Sequence, residues 1–151
     1  MLNLESLIAE REITRKLGEF ARILDRKAWQ HLGDVFAHDV SFDYGTGGDQ
    51  HGLDALTENM RRFLDGCGPT QHLIGSIIID VDRTTARSQA YVQARHQRAN
   101  NPLGPIIDTN GDYHDQWEKR PEGWRITRRD AKWLTHHGDP AILGAADHDL
   151  G

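Results

Sequence analysis

Four polar residues, Asp25, Tyr44, His72 and His96, stand where an acid–base site could be assembled. A carboxylate beside an imidazole fixes the ring's tautomer and raises its basicity: the acid accepts from one ring nitrogen and leaves the other free to take a proton. Asp25 and His72 are the candidate pair, and together they would form a general base. Asp25 ends an amphipathic stretch, where the helix dipole disfavours a carboxylate by about 0.3–1 kcal/mol, so it needs a compensating partner. It borders the apolar stripe of Leu17, Ala21 and Leu24, and the small Gly18 and Ala21 leave room beside it. The alternative is a surface carboxylate leaning toward Arg22 or Arg26. His72 opens a long strand after the Gly68-Pro69 turn and shares strand parity with Ile74 and Ser76. An exposed histidine at a strand end is the competing reading.

His96 is placed by a cleaner pattern. Ala90, Val92, Ala94 and His96 share one strand face, while Arg87, Gln89, Gln93, Arg95 and Gln97 take the other. An imidazole among small alanines borders unfilled volume and could protonate a departing hydroxyl; a hydrogen-bonded core histidine is the alternative. Tyr44 follows Val40 and Phe42 on the inward side of an earlier strand, where its phenol could hold a substrate carbonyl, or simply reach the rim from a buried ring. Other combinations are weaker. His136-His137 with Asp139, or His114 with Asp115, fall short of the three or four converging groups that a metal needs, and no metal site is expected. Gly45 to Gly48 lacks the glycine spacing of a phosphate cradle, so no nucleotide cofactor is expected either.

The elements that must position these residues follow from periodicity. Ile13, Leu17, Phe20 and Leu24 predict a helix from Leu4 to Leu24. Trp29, Leu32, Val35 and Phe36 predict a second, short one after a corner at Asp25-Arg26. Val40, Phe42 and Tyr44 alternate as a strand, and Leu53, Leu56, Met60, Phe63 and Leu64 form a third helix. Four long strands follow, His72–Val81, Ala86–Gln97, Ile106–Arg120 and Trp124–Leu134, joined by short turns into an antiparallel meander. Strands this long must twist and curve, leaving a concave face for the helices. The result is an α+β fold: a cone-shaped curved antiparallel sheet packed on three N-terminal helices, open at one end to a ligand. Residues 1–135 form one domain, and 136–151 read as a tail or lid.

Composition narrows the partners. The 151 residues carry 37% hydrophobic side chains, 18 Lys plus Arg against 23 Asp plus Glu, and a net charge of -5. With the basic residues scattered, nucleic acid is not an expected partner. The single cysteine, Cys67, allows no internal disulfide, and acidic residues in the first turns interrupt any export signal, so a reducing cytoplasm is expected. The longest aliphatic run, Ile77–Ile79, is far below the roughly 20 apolar residues that span a bilayer.

The order of elements resembles the nuclear-transport-factor-2-like fold, and within it the SnoaL-like branch. The resemblance rests on Leu24-Asp25-Arg26-Lys27-Ala28-Trp29, on Phe36-Ala37-His38-Asp39-Val40 entering a strand, and on His72-Leu73-Ile74-Gly75. It continues through Gly111-Asp112-Tyr113-His114-Asp115-Gln116-Trp117 and Gly123-Trp124-Arg125-Ile126. Asp25, Tyr44, His72 and His96 match, in order and closely in spacing, the aspartate, tyrosine and two histidines of scytalone dehydratase-like enzymes. Asp25 and His72 also resemble the catalytic pair of the hexachlorocyclohexane dehydrochlorinases, and Arg129 resembles the arginine of their pocket. Leu24 stands where the dehydratases carry a tyrosine, and Phe20 near where the dehydrochlorinases carry a lysine. The resemblance therefore implies dehydration rather than dehalogenation: a cofactor-independent lyase acting on a small hydroxylated carbonyl compound. His72 and Asp25 would act as base, Tyr44 on the enolate, His96 on the leaving oxygen, and Arg129 on substrate or leaving group. A polyketide cyclase, a ketosteroid-isomerase-like proton transfer, and a non-catalytic binding module are the alternatives. The resemblance also implies a homo-oligomer, trimer or dimer.

Overall fold

A computed structural model describes residues 2–144. Helix α1 (Leu4–Arg26) buries Ile13, Leu17, Phe20 and Leu24, the stripe that its three- and four-residue spacing predicts. Its last turn closes on Lys27, left-handed at φ 51°, whose N–H bonds back to Ile23 and Leu24. The Lys27 ammonium donates to the carbonyls of Asp65 and Cys67, and the Trp29 indole donates to the Asp65 carboxylate at 2.8 Å. These contacts hold the end of α1 against the start of β3, and so fix where Asp25 can reach.

After a 3₁₀ turn (Trp29–Asp34) come strand β1 (Phe36–Asp43), a two-residue β2 (Gln50–His51) and helix α2 (Leu53–Leu64). Then follow the long strands β3 (Cys67–Asp82), β4 (Thr85–Arg98), β5 (Ile106–Arg120) and β6 (Gly123–Gly138). The sheet order is β2-β1-β6-β5-β4-β3, a curved and unclosed sheet. β3 to β6 form the antiparallel meander that the sequence predicts. β1 adds to β6 in parallel, which no local pattern announces. That pairing also explains why the second helical stretch is only a 3₁₀ turn: the carbonyl of Val35 accepts from Ile126 at 2.9 Å and Phe36 faces Ile126, so the ladder of β6 captures the chain.

Two bulges set which side chains face α1. Between Gly75 and Ile78, β3 carries one residue more than β4 opposite, with Ser76 left-handed at φ 48°. Thr70, His72 and Ile74 face inward before the bulge, and Ile77, Ile79 and Val81 after it. Ser76 is exposed and does not share the face of His72, contrary to simple alternation. In β6 the extra residue is Thr127, which moves the inward parity from Trp124 and Ile126 to Arg129 and Ala131. Gly111 lets the ring of Trp133 lie on the backbone of β5, since an added Cβ would sit 2.7 Å from it.

Of the expected tail, residues 136–138 extend β6 and Pro140–Ile142 form a 3₁₀ turn, with Ile142 buried. The Ile142 carbonyl accepts from the Cys67 thiol at 3.3 Å, Asp139 pairs with Arg98, and the Gly144 N–H reaches the Phe63 carbonyl. Residues 145–151 lie outside the described part. Among the described residues no helix is long and apolar enough to cross a membrane.

Candidate active site

Asp25 and His72 meet. The Asp25 Oδ1 accepts from the His72 Nδ1–H at 2.7 Å and from the Thr70 hydroxyl at 2.9 Å, while Oδ2 accepts the His72 backbone N–H at 3.1 Å. Burial pushes the Asp25 carboxyl up, but these donors together outweigh it and hold it below the usual carboxylate range. They also supply the compensation that a carboxylate at a helix C-terminus requires. An ionised Asp25 fixes His72 with its hydrogen on Nδ1, leaving Nε2 as the basic atom.

His96 lies beside them, its ring centroid 5.5 Å from that of His72 and nearly perpendicular to it. The β4 alternation predicts its inward face, and it is 3% exposed. Its Nδ1 donates to the Ile107 carbonyl at 3.1 Å, so Nε2 is an acceptor. Burial drives its pKa down to about 4, only partly offset by the Ile107 carbonyl. His96 is therefore neutral at pH 7 and holds no proton ready for a leaving group. Neither Nε2 has a hydrogen-bond partner, nor does the hydroxyl of Thr109, which faces inward on β5. Every fully shielded side-chain nitrogen or oxygen among the described residues is partnered, so these three unpartnered atoms each keep some accessible surface.

A measurable consequence concerns acid. As pH falls from 6.5 toward 4, the unfolded chain protonates His96 and the folded chain does not, so stability drops through that window by on the order of 3 kcal/mol. Denaturant titrations of a His96→Leu variant should show a flatter dependence between those two pH values; an unchanged slope would contradict the neutral assignment.

Tyr44 and Arg129 form a second cluster. Arg129 is fully buried; its Nε and Nη2 each donate at 2.8 Å to Asp115, also fully buried, and its Nη1 donates to the Tyr44 hydroxyl at 3.1 Å. The guanidinium carbon lies 4.0 Å from the Tyr113 ring centre and 4.3 Å from that of Phe20. Burial pulls the guanidinium down, yet Asp115 and Tyr44 hold it above its ordinary value. Burial raises the Tyr44 phenol, with the Arg129 charge opposing.

The structure thus joins Asp25, His72 and His96 in one cluster and Tyr44 with Arg129 in another. Thr70, Thr109 and Tyr113 were not singled out in the sequence, and Asp115 was considered only beside His114 as a weak metal pair. The signal for the last three was available in the alternation of β5, where Ile107, Thr109, Gly111, Tyr113, Asp115 and Trp117 share a face. His114, the neighbour of Asp115, points to the other face and bonds Asp112. No group of three or more His, Cys, Asp or Glu is arranged to hold a metal among the described residues. A wide cleft of about 1120 Å³ along α2, lined by Asp54, Glu58, Arg61 and Phe63, contains none of the candidate residues.

Residues 5–130 match the SnoaL-like domain, and the chain belongs to that family. An uncharacterized protein of Mycobacterium tuberculosis, Rv2910c, is 26% identical over 139 residues, covering 85% of this chain and 88% of the relative. Among solved structures, a candidate scytalone dehydratase of Novosphingobium aromaticivorans superposes with a TM-score of 0.77 at 24% identity, over 87% of this chain and 88% of that one. A nuclear-transport-factor-2-like superfamily protein of Salmonella enterica gives 0.74 at 19% identity, over 86% and 94%. A hexachlorocyclohexane dehydrochlorinase of Novosphingobium barchaimii gives 0.72 at 12% identity, over 90% and 91%. The fold is nuclear-transport-factor-2-like.

Proposed function

We propose that the protein is a cofactor-independent lyase that removes water from a small, largely apolar β-hydroxycarbonyl compound. The observation that carries this reading is the Asp25–His72 pair, which leaves one imidazole nitrogen unpartnered and not fully shielded. His72 Nε2 takes the proton from the carbon next to the carbonyl, and the C–H electron pair becomes the enolate. The Tyr44 phenol donates to the enolate oxygen, a role for a fixed donor in a water-poor site. The enolate then collapses, the carbon–oxygen bond breaks, and the departing hydroxyl takes the proton held on His72, releasing water and restoring the base. His96, neutral, supports the hydroxyl as a hydrogen-bond acceptor rather than protonating it from a stored charge. The likeness to proteins named for dehydration and dehydrochlorination agrees with elimination chemistry.

A panel of cyclic β-hydroxyketones tests this by product mass. The expected result is loss of one water; conversion at unchanged mass would replace elimination with isomerisation or ring closure. That second reading is favoured by one observation, the neutral state of His96 beside His72 at pH 7. Tight binding with no conversion of any kind would instead make the protein a binding module. Self-association, as a trimer or a dimer, belongs to the same reading.

A further inference from the structure

Arg129 cannot touch a ligand in this arrangement. It is wholly shielded, two of its nitrogens are committed to Asp115, its plane lies against Tyr113 and Phe20, and the remaining arm ends on the Tyr44 oxygen. Whatever it contributes to chemistry must pass through that phenol. We propose that Asp115 and Arg129 are positioning residues for Tyr44: the carboxylate locks the guanidinium, and the guanidinium turns the phenol so that its own hydrogen is offered away from Arg129. This rests on the reading of Tyr44 as the donor to the enolate.

The physical reasons are three. A bidentate Arg–carboxylate fork fixes the plane of the guanidinium as a single contact would not. By donating to the phenol oxygen, Nη1 fills a lone pair and leaves the hydroxyl hydrogen as the group's outward function. A positive charge 3.1 Å from that oxygen also strengthens the O–H as a donor. The main chain of Tyr44 is held separately, by the Trp133 indole donating to its carbonyl at 2.9 Å, so the side chain's aim is set by Arg129 together with the neighbouring Tyr113 phenol, which also hydrogen-bonds it. The arrangement repeats the logic of Asp25 and His72, in which a carboxylate orients a second group, here at one further remove from the reacting atoms.

The test combines a spectroscopic and a kinetic readout. 3-Fluorotyrosine placed at position 44 is followed by fluorine NMR in the wild-type background, in Arg129→Lys, and in the double variant Asp115→Leu/Arg129→Met, which removes both charges and keeps the core filled. The same backgrounds, with and without Tyr44→Phe, are assayed for turnover of the β-hydroxyketone that is converted. The fluorine resonance is expected to move in the double variant and to move partly back in Arg129→Lys. Tyr44→Phe is expected to lower kcat about 10²-fold with little change in KM, and the double variant to add no further loss once Tyr44 is gone. An unmoved fluorine resonance overturns the proposal, as do losses that multiply in the combined variant. A resonance that moves while Tyr44→Phe keeps full turnover supports the positioning and removes Tyr44 from the proposed reaction instead.

Discussion

Replacing His72 by Gln, or Asp25 by Asn, should lower kcat by about 10²–10⁴-fold, the usual contribution of a positioned general base. The two changes act differently. His72→Gln removes the atom that takes the proton, whereas Asp25→Asn keeps the shape but offers an amide where Nδ1–H needs an anion, so the ring can turn to its other tautomer. Both should leave thermal unfolding close to wild type, because Asp25 is half-buried and His72 remains filled by a side chain of similar length. Because the two residues act as one unit, the double variant should be little worse than His72→Gln alone. Steady-state kinetics on the converted β-hydroxyketone, with unfolding curves alongside, check this. Two folded single variants with wild-type turnover would contradict the assignment.

The second large effect is on stability. Arg129 and Asp115 each have 0% side-chain exposure, so removing one leaves the other charge unpaired inside the protein. Arg129→Met or Asp115→Leu alone should cost about 3–5 kcal/mol, whereas removing both together should recover most of the loss, since apolar replacements of a buried pair are often neutral or better. A single domain has only about 5–15 kcal/mol in total, so each single variant should unfold at visibly lower urea. Chemical denaturation of the two single variants and the double variant measures this. A single-variant loss below about 1 kcal/mol, or fully additive losses, would contradict the picture of an isolated ion pair among aromatic rings.

The candidate base was legible in the sequence because its two halves sit at punctuated places. Asp25 ends a strongly periodic helix, and His72 follows the Gly68-Pro69 pair, which the structure places inside β3 rather than in a turn before it, so His72 lies five residues into the strand instead of at its start. His96 was legible from the unbroken alternation of β4. Its protonation was not, because that depends on the Ile107 carbonyl of the neighbouring strand and on burial, neither of which is a local property. The same limit explains Ser76 and Arg129. A bulge shifts parity by one, and only the strand opposite shows where the extra residue falls. Asp115 was considered with its neighbour His114, although adjacent strand residues face opposite ways; its true partner, Arg129, lies directly across the β5–β6 ladder. The parallel joining of β1 to β6 had no sequence signal, since β1 reads the same whichever strand it meets.

The central claim is that the free nitrogen of His72, oriented by Asp25, takes a proton from carbon. The most direct measurement is deuterium uptake from D₂O at the carbon beside the carbonyl, using a cyclic ketone that lacks the β-hydroxyl and so cannot eliminate. Exchange is expected to be catalysed by the wild-type protein and abolished in both Asp25→Asn and His72→Gln. Exchange at the wild-type rate in either folded variant would contradict that claim.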